Sequence, residues 1–74
     1  MSRLPRTLSG QQVRKEVEIA GFTLSRQRGS HMILYRDDPR ARVVIPDHKE
    51  IRIGTLQQIL QDANLSDDDF LDLL

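Results

Sequence analysis

Two histidines, His31 and His48, are the side chains of this chain best suited to take and give a proton near neutral pH. The sequence has no cysteine, no Gly-rich phosphate loop and no His-Glu-x-x-His pattern, so the chemistry narrows to these histidines and the cations beside them. Such a set suits the cleavage of RNA, because the substrate brings its own nucleophile. A base takes the proton of the ribose 2′-OH, the oxygen attacks the adjacent phosphorus, and an acid protonates the departing 5′ oxygen. Arg or Lys then balances charge on the phosphate oxygens.

His31 follows Arg28-Gly29-Ser30, a turn that feeds a strand, and a side chain at the end of a rigid element is well presented to a ligand. Gly29 lacks the Cβ that would hold a phosphate off the backbone. Arg26 and Arg28, spaced by two, point to one side if the strand is regular. On the residues alone, His31 is either catalytic or a surface histidine in a hairpin turn. His48, after Pro46-Asp47, reads as a cap or hydrogen-bonded loop histidine, or else as a catalytic partner. Two histidines without a thiolate supply half a tetrahedral zinc site at best, so neither metal nor cofactor is expected. Tyr35 suits stacking on an RNA base or packing in the core.

The elements that must position these groups are marked by caps and periodicity. Ser9-Gly10-Gln11-Gln12 has the form of a capping box, with Leu8 and Val13 at the staple positions. Val13, Val17 and Ala20 continue at helical spacing and Gly21 supplies a left-handed end, which predicts a helix over Gly10 to Ala20. Three strand-like runs follow, Phe22 to Gln27, His31 to Arg36 and Arg42 to Ile45, with Pro46 ending the last. Their connectors, Arg28-Gly29-Ser30 and Asp37-Asp38-Pro39-Arg40, have turn chemistry and are too short for parallel crossovers, so the strands form an antiparallel meander. Thr55-Leu56-Gln57-Gln58 repeats the capping-box pattern before a helix from Leu56 to Ala63, with Asn64 as terminator. Ser66 caps a short last helix whose first-turn Asp67, Asp68 and Asp69 suit the helix dipole. The expected fold is α+β, with helices on one face of a three-stranded antiparallel sheet.

A chain of 74 residues holds one core, so a single domain over residues 1–74 is expected. Cysteine is absent, no signal-peptide stretch opens the chain and no window has the ~20 apolar residues of a membrane span, which fits a cytoplasmic protein with no membrane partner. Net charge is zero but unevenly spread: residues 1–49 carry ten Lys and Arg against five acids, residues 50–74 one Arg against six. That split points to a basic face for an anionic partner and an acidic end turned elsewhere, or to surface charge that merely segregates.

The runs Leu4-Pro5, Ser9-Gly10, Gly21-Phe22, Arg26 to His31, Val44 to Ile51, Gly54-Thr55-Leu56, Ile59-Leu60 and Leu65-Ser66 together resemble, in order and spacing, the HicA-like mRNA interferase toxins. The resemblance covers nearly the whole chain. It implies a fold similar to the double-stranded RNA-binding domain, and endoribonuclease activity on mRNA with the catalytic histidine at His31. It further implies a type II toxin–antitoxin system with a HicB-like antitoxin as partner. Ser30 and Lys49, inside the matching runs, join Arg26, Arg28 and Gly29 as the expected RNA-contacting set. Asn64 stands where the family usually has Gly, an exchange the left-handed cap tolerates. The basic residues near the motif are mainly Arg where Lys is common, which keeps phosphate binding with altered geometry. Two other readings remain: a noncatalytic module of the double-stranded RNA-binding type, and an adaptor that contacts proteins through its acidic C-terminal part.

Overall fold

The computed structural model describes residues 4–5 and 7–74; the expectation that no leader opens the chain rests in part on residues 1–3 and 6, outside that set. Local rules account for the first helix, α1, Gly10–Ile19. The Gln12 amide donates to Ser9 Oγ at 3.1 Å and the Ser9 amide donates to Gln12 Oε1 at 2.8 Å, closing the capping box. Leu8 and Val13, the staple pair, are both buried. Ala20 is the cap rather than the last helical residue, and Gly21 follows at φ 103°. The Gly21 amide donates to the Glu18 carbonyl and the Phe22 amide to the Val17 carbonyl, the paired bonds of a Schellman end.

The sheet is an antiparallel meander in the order β1-β2-β3, made of β1 (Thr23–Arg28), β2 (His31–Asp37) and β3 (Arg40–Pro46). β2 and β3 run a residue or two beyond the expected bounds because both turns are tighter than the sequence suggested, whereas β1 is displaced by one residue, since Phe22, expected to open it, is spent on closing the end of α1. Arg28 pairs with His31 across Gly29-Ser30, and Asp37 pairs with Arg40 across Asp38-Pro39, whose peptide bond is cis. Pro46 ends β3 as expected and is itself the last paired residue, tolerated because β3 is an edge strand.

The second helix, α2 (Ile53–Asp62), corrects the expected capping box at Thr55. Its N-cap is Arg52, with no side-chain cap bond, and Thr55 lies inside the first turn. Ile51 is buried and its amide donates to the Leu8 carbonyl at 2.7 Å, so the chain is already pinned there and can enter the helix at once. Leu56, Ile59, Leu60 and Ala63 still face the core, as their spacing requires. Asn64, at φ 58°, ends α2 with a second Schellman pair, Asn64 to Gln61 and Leu65 to Leu60.

The last helix, α3 (Asp67–Leu73), carries the expected Ser66–Asp69 capping box. Seven residues are too few to be helical alone. Phe70, fully buried beside both other helices, holds it, an anchor that contributes about 1.5 to 3 kcal/mol. α1 and α2 thus cover one sheet face, where Met32, Leu34, Val43 and Ile45 meet Val13, Val17, Leu56 and Leu60, and α3 packs against both of those helices. This is the α+β order expected from the sequence, and it leaves the other sheet face bare.

Candidate active site

His31 opens β2 directly after the Gly29-Ser30 turn. Gly29 has φ 59° and Ser30 does not share a positive φ, the pattern of a type II′ turn with glycine at its first central position. A Cβ at Gly29 would meet nothing within 4 Å, so the glycine answers to the backbone angle while the space above the turn stays open. His31 is exposed and is the middle of a cross-strand row, with Arg28 opposite it on β1 and Pro46 on β3.

Whether the arginines share the face of His31 depends on an irregularity. Leu24 pairs with Leu34 on the core face, and a regular strand would put Arg26 and Arg28 on that same face. The register shifts by one residue at Ser25, so that Arg26 stands opposite Ile33 and Arg28 opposite His31. Both arginines therefore do point to one side, as expected, but the shift upstream of them is what makes it the side of His31. Gln27, between them, lies on the opposite, helix-covered side of the sheet, exposed at its edge.

The Gln27 amide belongs to a clamp that the sequence alone does not reveal. Gln27 Nε2 donates to Asp47 Oδ2 and to the Gly29 carbonyl, each at 3.1 Å. Gln11 Nε2, from the first turn of α1, donates to Asp47 Oδ1 at 3.1 Å. The Asp47 amide in turn donates to the Ser30 carbonyl at 2.6 Å. One carboxylate thus ties the turn before His31, the end of β3 and the start of α1. The Gly10 amide donates to the His48 carbonyl at 2.8 Å, and a Cβ at Gly10 would overlap the Pro46 carbonyl oxygen. Glycine at the first helical position is what lets α1 sit this close.

His48 and Lys49 lie in the exposed stretch between β3 and α2. The meander brings them to the His31 end of the sheet, since Pro46, two residues before His48, pairs with His31. The hydrogen bond at His48 is made by its carbonyl. Its side chain lines a shallow hollow of about 270 Å³ with Pro46, Glu50, Ile51, Arg52 and Thr55. Among the described residues, Arg26, Arg28 and Lys49 enter no ion pair or side-chain hydrogen bond. Arg36 is a different case: it stacks 4.6 Å over the Phe22 ring and donates to the Ala63 and Pro39 carbonyls, so it is structural. Tyr35 is not in the core but 41% exposed on the bare face. Among the described residues no three His, Asp or Glu side chains gather as a metal site would require, and no helix is long and apolar enough to cross a membrane.

None of the curated proteins matches the chain. The family model described as the HicA toxin of bacterial toxin–antitoxin systems matches residues 10–65. That span begins at the first residue of α1 and ends at the residue that closes the Schellman end of α2, so it takes in His31, the Asp47 clamp and the whole sheet. The chain belongs to the HicA toxin family, and as the toxin of a toxin–antitoxin system it has a cognate antitoxin.

Proposed function

We propose that this toxin is a cytoplasmic endoribonuclease that cuts mRNA by histidine acid–base catalysis, with His31 as the catalytic group. The observation that carries the reading is the row Arg28–His31–Pro46: an exposed histidine beside an unpaired arginine, below an open glycine turn, on backbone fixed by the Asp47 clamp. In this reading His31 takes the proton of the ribose 2′-OH and the freed oxygen attacks the adjacent phosphorus. The bond from phosphorus to the 5′ oxygen then breaks, and that oxygen receives a proton. The products are a 2′,3′-cyclic phosphate and a 5′-hydroxyl. Arg28 balances charge on the non-bridging oxygens, while Arg26, Lys49 and the Gly29-Ser30 backbone seat the flanking strand. His48, near the same end of the sheet, is the second proton carrier to test. A HicB-like antitoxin silences the site by covering it.

No metal-bound water is needed, because the 2′-OH is the nucleophile. Cleavage of single-stranded RNA should therefore persist in EDTA and stop when the scissile nucleotide carries a 2′-deoxy sugar. Loss of activity on chelation, or cutting of the deoxy substrate, would point to a metal-activated water instead. A noncatalytic RNA-binding module would shift the RNA and leave it intact.

A further inference from the structure

The bare sheet face carries more than the cleavage chemistry requires. Residues directly opposite one another in an antiparallel sheet project to the same side, and on this side they form three rows: Arg28–His31–Pro46, Arg26–Ile33–Val44 and Thr23–Tyr35–Arg42. Tyr35 is the sole tyrosine, the chain has no tryptophan, and both phenylalanines are buried on the other side. The one exposed aromatic ring therefore stands here, on the strand that begins with His31. Ile33, between them, is only 6% exposed although it lies outside the helix-covered core, and its cross-strand partner Val44 is half-buried, so the middle of the face is apolar. Arg26, Arg28 and Arg42 surround that centre, and among the described residues none has an ion-pair partner. No acid occupies the three rows; on this side of the sheet Asp37 stands opposite Arg40 in the row beyond them, and the Asp47 carboxylate, next to Pro46, is engaged by Gln11 and Gln27.

We infer that this face is a track for single-stranded RNA, on which Tyr35 stacks the base of a nucleotide near the scissile one and Arg42 and Arg26 hold its flanking phosphates. The inference rests on the RNA-cleaving reading of His31 and names the form of RNA that site accepts. Tyr35 lies four residues from His31 along β2, about 13 Å at the rise of a strand, so the stacked base is a neighbour of the one whose sugar reacts. In a duplex the faces of the bases are already stacked on each other, and only an unpaired base offers its face to a tyrosine. Arginines set around an aromatic and apolar centre match an unpaired strand, which alternates charged phosphates with flat bases.

Because Tyr35 is the only tyrosine, its fluorescence reports on this face alone. The full-length His31→Ala protein, which leaves RNA uncut, is titrated with a short mixed-sequence single-stranded RNA and with the same strand annealed to its complement. Tyrosine fluorescence should be quenched by the single strand and little changed by the duplex. Tyr35→Leu in the same background should raise Kd about 5- to 150-fold, the value of one base–aromatic stack, whereas Tyr35→Phe should bind as the parent does. Arg42→Gln should lower the slope of log Kd against log salt by about 0.7. RNA that saturates the protein, as read by its own anisotropy, without altering tyrosine fluorescence would overturn the track. So would an unchanged affinity of Tyr35→Leu, or equal quenching by duplex; in each case cleavage by the parent protein keeps the nuclease reading standing. A Tyr35→Leu protein that loses antitoxin but keeps RNA would assign the face to the protein partner. If the parent protein neither cuts nor binds RNA, the nuclease reading itself fails and the track falls with it.

Discussion

His31 owes its exposure to the two residues before it. A type II′ turn at Gly29-Ser30 ends β1 abruptly, so the first residue of β2 stands at the rim of the sheet with open space beside it. A residue placed this way contributes little to packing, so if His31 is the catalytic group proposed for it, His31→Ala should remove the activity and spare the fold. Loss of general acid–base catalysis typically costs 10² to 10⁴ in rate, and we expect RNA cleavage to fall by about that factor. Stability should move by no more than about ±0.5 kcal/mol, as for other surface substitutions. Cleavage at the parent rate in a properly folded variant would remove His31 from the mechanism. At this scale the sequence was readable wherever partners are close along the chain: Ser9 with Gln12, Ser66 with Asp69, Gly21 and Asn64 at helix ends. Asp47 was not, because its partners Gln11 and Gln27 lie 36 and 20 residues away and nothing in their spacing reveals the contact. Arg36 counted among the basic residues in the sequence and turned out to belong to the core's edge.

Among the elements, helices and strands were legible in kind and order, while their ends depended on contacts made elsewhere. α2 begins at Ile53 instead of after Thr55 because Ile51 is bridged to Leu8. The shift at Ser25 leaves no mark in the pattern Leu24-Ser25-Arg26, since an isolated polar residue in a strand is ordinary, yet it decides which face receives Arg26 and Arg28. Gly10 shows the same dependence at the start of α1. Its helical propensity argues for alanine, by about 0.8 to 1 kcal/mol in a helix interior, but the Pro46 carbonyl oxygen occupies the place of the Cβ and is backbone, which cannot rotate away. Forcing a methyl group into such a contact costs roughly 1 to 3 kcal/mol. We therefore expect Gly10→Ala to be destabilising, with Tm lowered by roughly 4 to 8 °C for each kcal/mol in a domain of this size. A thermal melt that is unchanged or raised would mean that α1 does not approach the β3–α2 connection so closely, and that the clamp through Gln11 is looser than described.

The charge asymmetry along the chain becomes an asymmetry in space. Asp67, Asp68, Asp69 and Asp72 all belong to α3, which packs through Phe70 on the helical side, whereas Arg26, Arg28 and Arg42 stand on the bare sheet face. A net charge of zero therefore conceals an uneven distribution, with arginines on the bare sheet face and aspartates gathered on α3. An antitoxin that must silence the toxin can do so by occupying the basic face around Arg26, Arg28 and His31, where it blocks the path of the phosphates and the histidine together. Complementary charge on the antitoxin would also speed capture. If so, a single charge reversal should weaken both partners. Arg28→Glu should reduce RNA affinity and lower the salt slope of binding by at least the ~0.7 expected for one phosphate contact on a single strand. It should also slow antitoxin association most at low ionic strength, where the steering field is least screened. Association rates measured across salt concentrations for both ligands test this directly. An antitoxin that captures Arg28→Glu as fast and as tightly as the parent, while RNA binding falls, would place the inhibitory contact elsewhere, and α3 with its aspartates is then the surface to substitute next.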